Sequence, residues 1–267
     1  RLKSRPYVVN LDPACAATPY KAQIDIRKTI NYKAVMEQFG LGPNGAILTS
    51  LNLFATKFGP AVEAVQAKAR ATPIKYVLVD TPGQIEAFTW SASGAIITDS
   101  LASAFPTVIV FVVDAPRSAS PTTFMSNMLY ACSILYKTQL PMVIAFNKAD
   151  VVRTEFLFEW VDDFEVFLEA LHGQSAENGG YIDELTKSMA LVLEEFYKTL
   201  RAVSVSAARG DGIDQFFEAV QLARDEYYAE YWPVLKNKIE ARLQKDLQAQ
   251  QQQLEKLHLD LYGQSSP

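Results

Sequence analysis

Residues 142–150 read Met-Val-Ile-Ala-Phe-Asn-Lys-Ala-Asp, and this stretch decides the fold. Its first five residues are apolar without polar alternation, which is typical of a strand buried on both faces of a parallel sheet. Four more short apolar runs share this character, and they lie at residues 7–11, 76–79, 107–113 and 202–205. Longer helical patterns separate the runs. Strands that alternate with helices in this way predict an α/β fold, with a parallel sheet flanked by helices.

The helical patterns organise the rest of the chain. They lie at residues 32–39, 46–70, 121–136, 155–171, 182–200 and 213–232. We predict one domain over residues 1–232, followed by a polar helix and tail over residues 233–267. Apolar residues recur every four positions in this last helix, at Leu235, Ile239, Leu243 and Leu247. The stripe predicts packing on the domain or on a partner, although its spacing drifts around a helix faster than a coiled-coil heptad. A frayed tail is the alternative.

Composition excludes several classes of protein. The chain has 25 basic and 30 acidic residues, a net charge of −5, which argues against broad binding of nucleic acid. Its two cysteines and two histidines are too few for a disulfide framework or a Cys/His zinc site, and we assign them no chemistry: they are Cys15, Cys132, His172 and His258. The apolar runs are far shorter than the roughly 20 residues of a membrane span, and residues 1–6 do not resemble a signal peptide. We expect a cytoplasmic protein.

The polar end of residues 142–150 carries the strongest chemical signal. At the end of a buried strand, Asp150 can accept hydrogen bonds from N1–H and the exocyclic amino group of guanine, which adenine cannot supply. Asn147 can bind the purine edge, and the stem of Lys148 can lie along the flat base. The alternative is a strand that ends in an ordinary polar turn. We predict a guanine-binding site.

A second signal is Tyr-Val-Leu-Val-Asp-Thr-Pro-Gly-Gln at residues 76–84. Asp80, at the tip of a buried strand, can hold Mg²⁺ through the water molecules of the ion. Gly83 lets a backbone N–H approach a terminal phosphate without an intervening side chain. Gln84 can orient an attacking water, and Glu86 can polarise that water or fix Gln84. A simple Pro-Gly turn is the alternative.

Two weaker signals lie at other strand ends. Ser206 and Ala207 follow the last apolar run, where a turn can offer a backbone N–H to a guanine oxygen. Asp12, in Asn-Leu-Asp-Pro at residues 10–13, can meet the water shell of a metal ion or the attacking water. Either stretch alone could be an ordinary turn.

With Gly-Leu-Gly-Pro-Asn-Gly at residues 40–45, these motifs resemble the GPN-loop GTPases. The resemblance runs from about Tyr7 to Tyr231 and includes Asp-Ile-Arg at residues 25–27 and Trp-Ser-Ala-Ser-Gly from residue 90. It is greatest to the eukaryotic member that acts in the assembly and nuclear import of RNA polymerase II. The resemblance implies a P-loop GTPase-like fold that converts GTP to GDP and phosphate, with GTP/GDP and Mg²⁺ bound.

The same resemblance assigns roles to the residues that match the family motifs. It places Asp80, and Asp12 through water, around Mg²⁺ and the catalytic water, which Gln84 and Glu86 position. The guanine-holding set comprises Asn147, Lys148, Asp150, Ser206 and Ala207. In the family, the loop that matches Gly42, Pro43 and Asn44 reaches across a dimer interface towards the terminal phosphate of the other subunit. The resemblance therefore implies that the protein forms a homodimer, or a heterodimer with a GPN-loop paralogue.

One family motif is missing from these residues. No Gly-x-x-x-x-Gly-Lys-Ser/Thr occurs, although the family has one before the segment that matches residues 7–11. We expect that the first strand and P-loop, roughly 30 residues, are absent from this chain and that the complete protein is the GTPase. RNA polymerase II subunits are the expected partners, without direct contact to nucleic acid or membrane, and the protein is expected to shuttle to the nucleus. The alternative is a non-catalytic, chaperone-like scaffold with a vestigial nucleotide site; a related ATPase or nucleotide kinase is disfavoured by Asp150.

Overall fold

The computed structural model describes residues 6–175, 196–197 and 200–262. Contacts divide the chain into two compact units, Arg1–Pro106 and Thr107–Pro267. This division falls inside residues 1–232, for which the sequence predicts one domain, and that domain assignment stays a prediction. Each unit has its own sheet and its own core.

Unit 1 contains a three-stranded parallel sheet with strand order β2-β1-β3. Its strands are β1 (Tyr7–Asn10), β2 (Ile24–Asp25) and β3 (Val77–Asp80). Its helices are α1 (Tyr32–Phe39), α2 (Pro43–Ala55), α3 (Phe58–Ala71), α4 (Ile85–Thr89) and α5 (Ala92–Ala104). The core is aliphatic and aromatic, with Leu11, Leu51 and Ile97 fully buried. Burying each such side chain contributes about 1.5–3 kcal/mol.

Unit 2 contains a second three-stranded parallel sheet, with strand order β4-β5-β6. Its strands are β4 (Ile109–Asp114), β5 (Met142–Asn147) and β6 (Arg201–Val205). Its described helices are α6 (Pro121–Thr138), α7 (Glu155–Asp162), α8 (Phe164–Ser175), α9 (Ile213–Glu226) and α10 (Trp232–Tyr262), the last two joined by a π-helical turn at Tyr227–Tyr231. Phe124 lies at the centre of the core, edge-on to Trp160 and Phe167.

The predicted fold class is confirmed, because both sheets are parallel and helices flank them. The five predicted strands are present within one or two residues of the predicted bounds. Strand β2 was not predicted, since two residues are too few to produce a periodic signal. The predicted helix at residues 182–200 lies largely outside the described residues.

Two predicted helices are each divided in the structure. The helix predicted at 46–70 begins at Pro43, stops at Ala55 and resumes at Phe58. Pro60 has no N–H to donate to the carbonyl of Thr56, so a continuous helix is disfavoured there. The helix predicted at 155–171 is interrupted by Asp163, whose backbone is extended and whose carboxylate accepts the N–H groups of the following turn.

The last helix, α10, is mostly exposed. Leu235, near its start, lines a small cavity with Tyr231 and Gln139. Further along, Ile239, Leu243 and Leu247 are exposed, so beyond Leu235 the stripe does not pack on the described part of the chain. Across the ranges described here, no helix combines the length and apolar character needed to cross a membrane.

Candidate nucleotide-binding site

The first group of candidate residues lies where β1 and β3 end. Asn10 and Asp80 are paired in register, and the N–H of Leu11 donates to the carbonyl oxygen of Asp80 at 2.8 Å. The parallel register therefore places Asp12 and Asp80 on neighbouring segments at the carboxyl edge of the sheet. Ligands bind at this edge in open α/β sheets.

A tight turn holds Asp12. Its N–H donates to Oδ1 of Asn10 at 3.1 Å, and its own Oδ1 accepts the N–H of Ala14 at 2.9 Å. Asn10 is fully buried and donates from Nδ2 to Oδ1 of Asp25 at 3.1 Å. Because the buried Asn10 amide accepts one hydrogen bond through its oxygen and donates another through its nitrogen, it holds the start of the loop in place.

Asp25 and Arg27 hold the other end of this network. Nη2 of Arg27 lies 2.6 Å from Oδ2 of Asp25, and Nη1 donates to the carbonyl of Cys15 at 3.0 Å. Hydrogen bonds from Arg27 hold the pKa of Asp25 at about 2, well below its usual value. Arg27 thus ties the loop after Asp12 to the end of β2, a connection that the sequence did not indicate.

Tyr20 is a further candidate site residue, and it was not predicted from the sequence. Its hydroxyl donates to Oδ2 of Asp80. Burial and this contact with Asp80 raise the pKa of the Tyr20 hydroxyl far above its usual value, so it stays protonated as a donor. Nothing in the local sequence marks a tyrosine 60 residues before its partner as part of the site.

The Gly-Pro-Asn residues begin α2. Gly42 is the N-cap and Pro43 occupies the first helical turn, where a proline needs no N–H partner. Asn44 follows, and its Oδ1 accepts a hydrogen bond from Nε2 of Gln84 at 2.7 Å. This bond joins two predicted catalytic residues within one chain.

An open cleft of about 450 Å³ surrounds this contact. Its lining comprises Asn44, Gly45, Leu48, Gln84, Glu86, Ala87, Trp90 and Ser91. The structure therefore brings Asn44, Gln84 and Glu86 together. A Cβ added to Gly83 would meet no other atom within 4 Å, so the backbone there is open to a ligand.

The residues of this edge fit a magnesium ion that takes few protein ligands. The described residues contain no cluster of three or more His, Cys, Asp or Glu side chains that could enclose a metal. Mg²⁺ usually keeps several waters and binds one or two carboxylates together with substrate phosphates. Asp12 and Asp80 supply carboxylates of that kind, and they would hold the ion together with nucleotide phosphates.

The second group of candidate residues lies where β5 and β6 end. The N–H of Ala149 donates to the carbonyl of Val205 at 3.1 Å, which fastens the turn after β5 to β6. Lys148 has a φ of +72°, a left-handed backbone conformation that residues other than glycine seldom adopt. Oδ1 of Asn147 accepts the N–H of Lys148 at 2.8 Å and stabilises this turn.

Two hydrogen bonds join this turn to the one after β6. Oγ of the buried Ser206 donates to Oδ1 of Asp150 at 2.6 Å, and the N–H of Ala207 donates to Oδ1 of Asn147 at 3.1 Å. The bond from Ser206 holds the pKa of Asp150 below its usual value, so the carboxylate is ionised at neutral pH. All five residues predicted to hold guanine are therefore neighbours in one network.

Asp114, at the end of β4, orients Lys148. Its Oδ2 lies 2.7 Å from Nζ of Lys148, and this contact lowers the pKa of Asp114. This contact holds the amino group of Lys148 beside the end of β4. Asp114 was not predicted, although a carboxylate at the tip of a buried strand was the signal that identified Asp80.

Comparison with known proteins adds to this geometry. A family described as "Conserved hypothetical ATP binding protein" matches residues 1–226. The chain is 53% identical to GPN-loop GTPase 1 of Dictyostelium discoideum, over 96% of this chain and 63% of that protein. It is 58% identical to GPN-loop GTPase QQT2 of Arabidopsis thaliana, over 86% of this chain and 59% of that protein. It is 51% identical to GPN-loop GTPase 1 of Saccharomyces cerevisiae, over 97% of this chain and 68% of that protein.

A solved structure supports the fold alone. The crystal structure of a GTPase in apo form from Pyrococcus abyssi superposes with a TM-score of 0.68 and 24% identity, covering 84% of this chain and 86% of that one. The present chain spans about six tenths of the first two relatives named above. Sequence identity above one half across nearly the whole chain, together with a Gly-Pro-Asn turn at the start of α2, establishes that the chain belongs to the GPN-loop GTPase family.

Proposed function

We propose that the protein binds GTP with Mg²⁺ and hydrolyses it to GDP and phosphate. The observation that carries this proposal is the network of Asn147, Asp150, Ser206 and Ala207 at the ends of β5 and β6. Its acceptors match the donors of guanine. Within unit 1, Gln84 and Glu86 line one cleft and are suited to positioning water.

Base selection follows from the charge of Asp150. An ionised carboxylate accepts both from N1–H and from the exocyclic amino group of guanine, whereas adenine has no donor at N1. Ser206 donates to one carboxylate oxygen and so holds that oxygen beside the turn after β6. A site built around such polar pairs can discriminate by a factor of about 10⁴–10⁵ against a base that leaves its polar groups unpaired. This supports GTP rather than ATP as the substrate.

Hydrolysis requires a positioned water. Gln84 and Glu86 lie on one cleft, and the contact with Asn44 fixes the amide of Gln84. In the proposed step Gln84 and Glu86 orient the water, the water oxygen attacks the terminal phosphorus, and the bond to the leaving GDP oxygen breaks. The proton of the water passes to an oxygen of the released phosphate. Mg²⁺, when bound, neutralises charge on the phosphate oxygens.

The test is hydrolysis by the full-length protein, measured as phosphate release from GTP and from ATP, each with Mg²⁺ and with a chelator. We expect metal-dependent release from GTP and little from ATP. Binding of GTP without release would favour the chaperone-like scaffold, and equal release from both nucleotides would contradict the assigned base site.

We propose further that the protein acts as a dimer in which Asn44 approaches the phosphate bound by the other subunit. The family resemblance supports this, and so does the exposure of Leu48 and Trp90 beside Asn44, a face that a second copy can cover. The hydrogen bond between Asn44 and Gln84 lies within one chain, so the alternative is an action of Asn44 on its own site.

A mixed dimer distinguishes these two arrangements. One subunit carries Asn44→Ala, and the other keeps Asn44 but loses its base site through Asp150→Ala, so only the first subunit binds GTP. If Asn44 acts across the interface, single-turnover hydrolysis is retained, whereas a dimer with Asn44→Ala in both subunits loses at least about tenfold. Loss of hydrolysis in the mixed dimer would assign Asn44 to its own site.

The cellular role is proposed from the resemblance to the family member that acts on RNA polymerase II. We propose that nucleotide turnover serves the assembly and nuclear import of that enzyme, with its subunits as partners, and that the protein passes between cytoplasm and nucleus. Depletion of the protein should leave polymerase subunits in the cytoplasm. Normal nuclear polymerase after depletion would refute this role.

A further inference from the structure

The outer part of α10 leaves its apolar side chains uncovered. Leu243 is 57% exposed, Leu247 56% and Leu254 65%, and none of them belongs to the described cores. The first turn differs, since Leu235 lines a cavity of about 140 Å³ with Tyr231 and Val234. The four-residue stripe thus combines one residue that packs on unit 2 with others that face solvent.

From residue 243 onward the spacing becomes that of a heptad. Intervals of four and three alternate through residues 243, 247, 250, 254, 257 and 261, which is the a/d pattern of a coiled coil. Leucine occupies five of these positions, and glutamine occupies the sixth, at Gln250. Continuous helix extends through this stretch, to Tyr262.

We infer that α10 pairs with α10 of a second copy of this chain, as a parallel two-stranded coiled coil over residues 243–261. In a parallel pair in register, each core layer brings together the same residue of both helices. Gln250 then faces Gln250, and the two amides can hydrogen-bond to each other. Any shifted register would bury each amide against leucine, so a single polar core residue selects this alignment.

The flanking charges agree with the parallel arrangement. Heptad positions place Asp246 opposite Gln251 of the second copy, so no like charges meet there. Arg242 and Lys245 fall on the outer face, where both remain in water.

The length of the pairing ties it to the proposed dimer. The stretch has fewer than three heptads, and helices this short associate weakly when nothing else holds them together. The inference therefore rests on the dimer of the proposed function, which brings the two helices to an effective concentration of order millimolar. The coiled coil would in turn keep the dimer together between nucleotide cycles.

Disulfide formation in the full-length protein tests the inference. Gln250→Cys places a thiol in the core layer, and the matched control Gln252→Cys places one on the outer face two residues away. Under mild oxidation we expect at least about tenfold more covalent dimer from Gln250→Cys than from the control. The unsubstituted full-length protein gives the background from the native cysteines, which include half-buried Cys15 and buried Cys132.

A second pair of variants controls for disulfides that form by chance collision of two chains without a coiled coil. Adding Leu247→Asp and Leu254→Asp to Gln250→Cys should abolish the covalent dimer, whereas adding Gln248→Asp and Gln252→Asp, on the outer face, should leave it. Circular dichroism checks that helix content is kept. Equal linking at positions 250 and 252, or linking that survives the aspartates in the core, would overturn the coiled coil.

Sedimentation of the unsubstituted protein separates this inference from the proposed dimer. A dimer by sedimentation that forms no Gln250→Cys disulfide would leave the dimer standing and exclude the coiled coil. A monomer without the disulfide would refute both. Metal-dependent GTP hydrolysis is read independently of either result.

Discussion

Substitution of Asp150 by asparagine should exchange the base preference of the nucleotide site. Asparagine keeps an oxygen that can accept the hydrogen bond from Ser206. Its NH₂ group, however, donates a hydrogen bond where the second carboxylate oxygen of Asp150 accepted one. GTP should bind at least about 100-fold more weakly, while xanthosine triphosphate, which carries an oxygen in place of the guanine amino group, should bind more tightly than before. Competition against a fluorescent guanine nucleotide in the full-length protein measures both changes.

Asp162→Asn is the matched control for this experiment. Asp162 is exposed at the end of α7, so the variant removes the same charge from the same unit without touching the base network. Its affinities should equal those of the unsubstituted protein. An unaltered preference in Asp150→Asn would mean that guanine is bound elsewhere.

Replacing Gln84 by alanine should slow hydrolysis without a comparable loss of GTP affinity. The amide acts on the attacking water in the transition state, so removing it raises the barrier to reaction and leaves ground-state binding nearly intact. We expect single-turnover hydrolysis to fall by about 100-fold or more, with a similar but separate effect for Glu86→Ala. Rates at saturating GTP measure the loss of hydrolysis, and nucleotide titrations measure GTP affinity.

Glu63→Ala on the exposed face of α3 serves as the control, because it shortens an acidic side chain in the same unit away from the cleft. Full activity is expected for it. If Gln84→Ala and Glu86→Ala both turned over GTP at the unsubstituted rate, neither residue would belong to the mechanism. If affinity fell together with rate, the side chains would instead contact bound nucleotide.

The proximity of the residues at the ends of β5 and β6 could be predicted from the sequence because these residues obey local rules. Buried parallel strands are continuous apolar runs, and their carboxyl ends meet at one edge of a sheet. Asn147, Asp150 and Ser206 directly follow such runs, so their proximity could be deduced from strand ends alone. The structure adds the hydrogen bonds that join them.

Partners distant in the chain could not be predicted in the same way. The contact between Lys148 and Asp114 spans 34 residues, and that between Tyr20 and Asp80 spans 60. Each depends on how a loop returns to the sheet, for which hydrophobic periodicity carries no information. The helix break before Pro60 was missed for a different reason, since the apolar pattern continues across a break that a single absent N–H produces.

The backbone of Lys148 has a consequence for the evolution and engineering of this protein. A left-handed conformation costs a side-chain-bearing residue about 1–2 kcal/mol, and glycine would avoid that cost. A selection that rewards only heat resistance can relieve this cost through Lys148→Gly, which also removes the ion pair with Asp114 and the stem proposed to lie along the base. At this position the residue that relieves backbone strain and the residue proposed to contact the base are different, so thermal tolerance alone does not select for nucleotide binding.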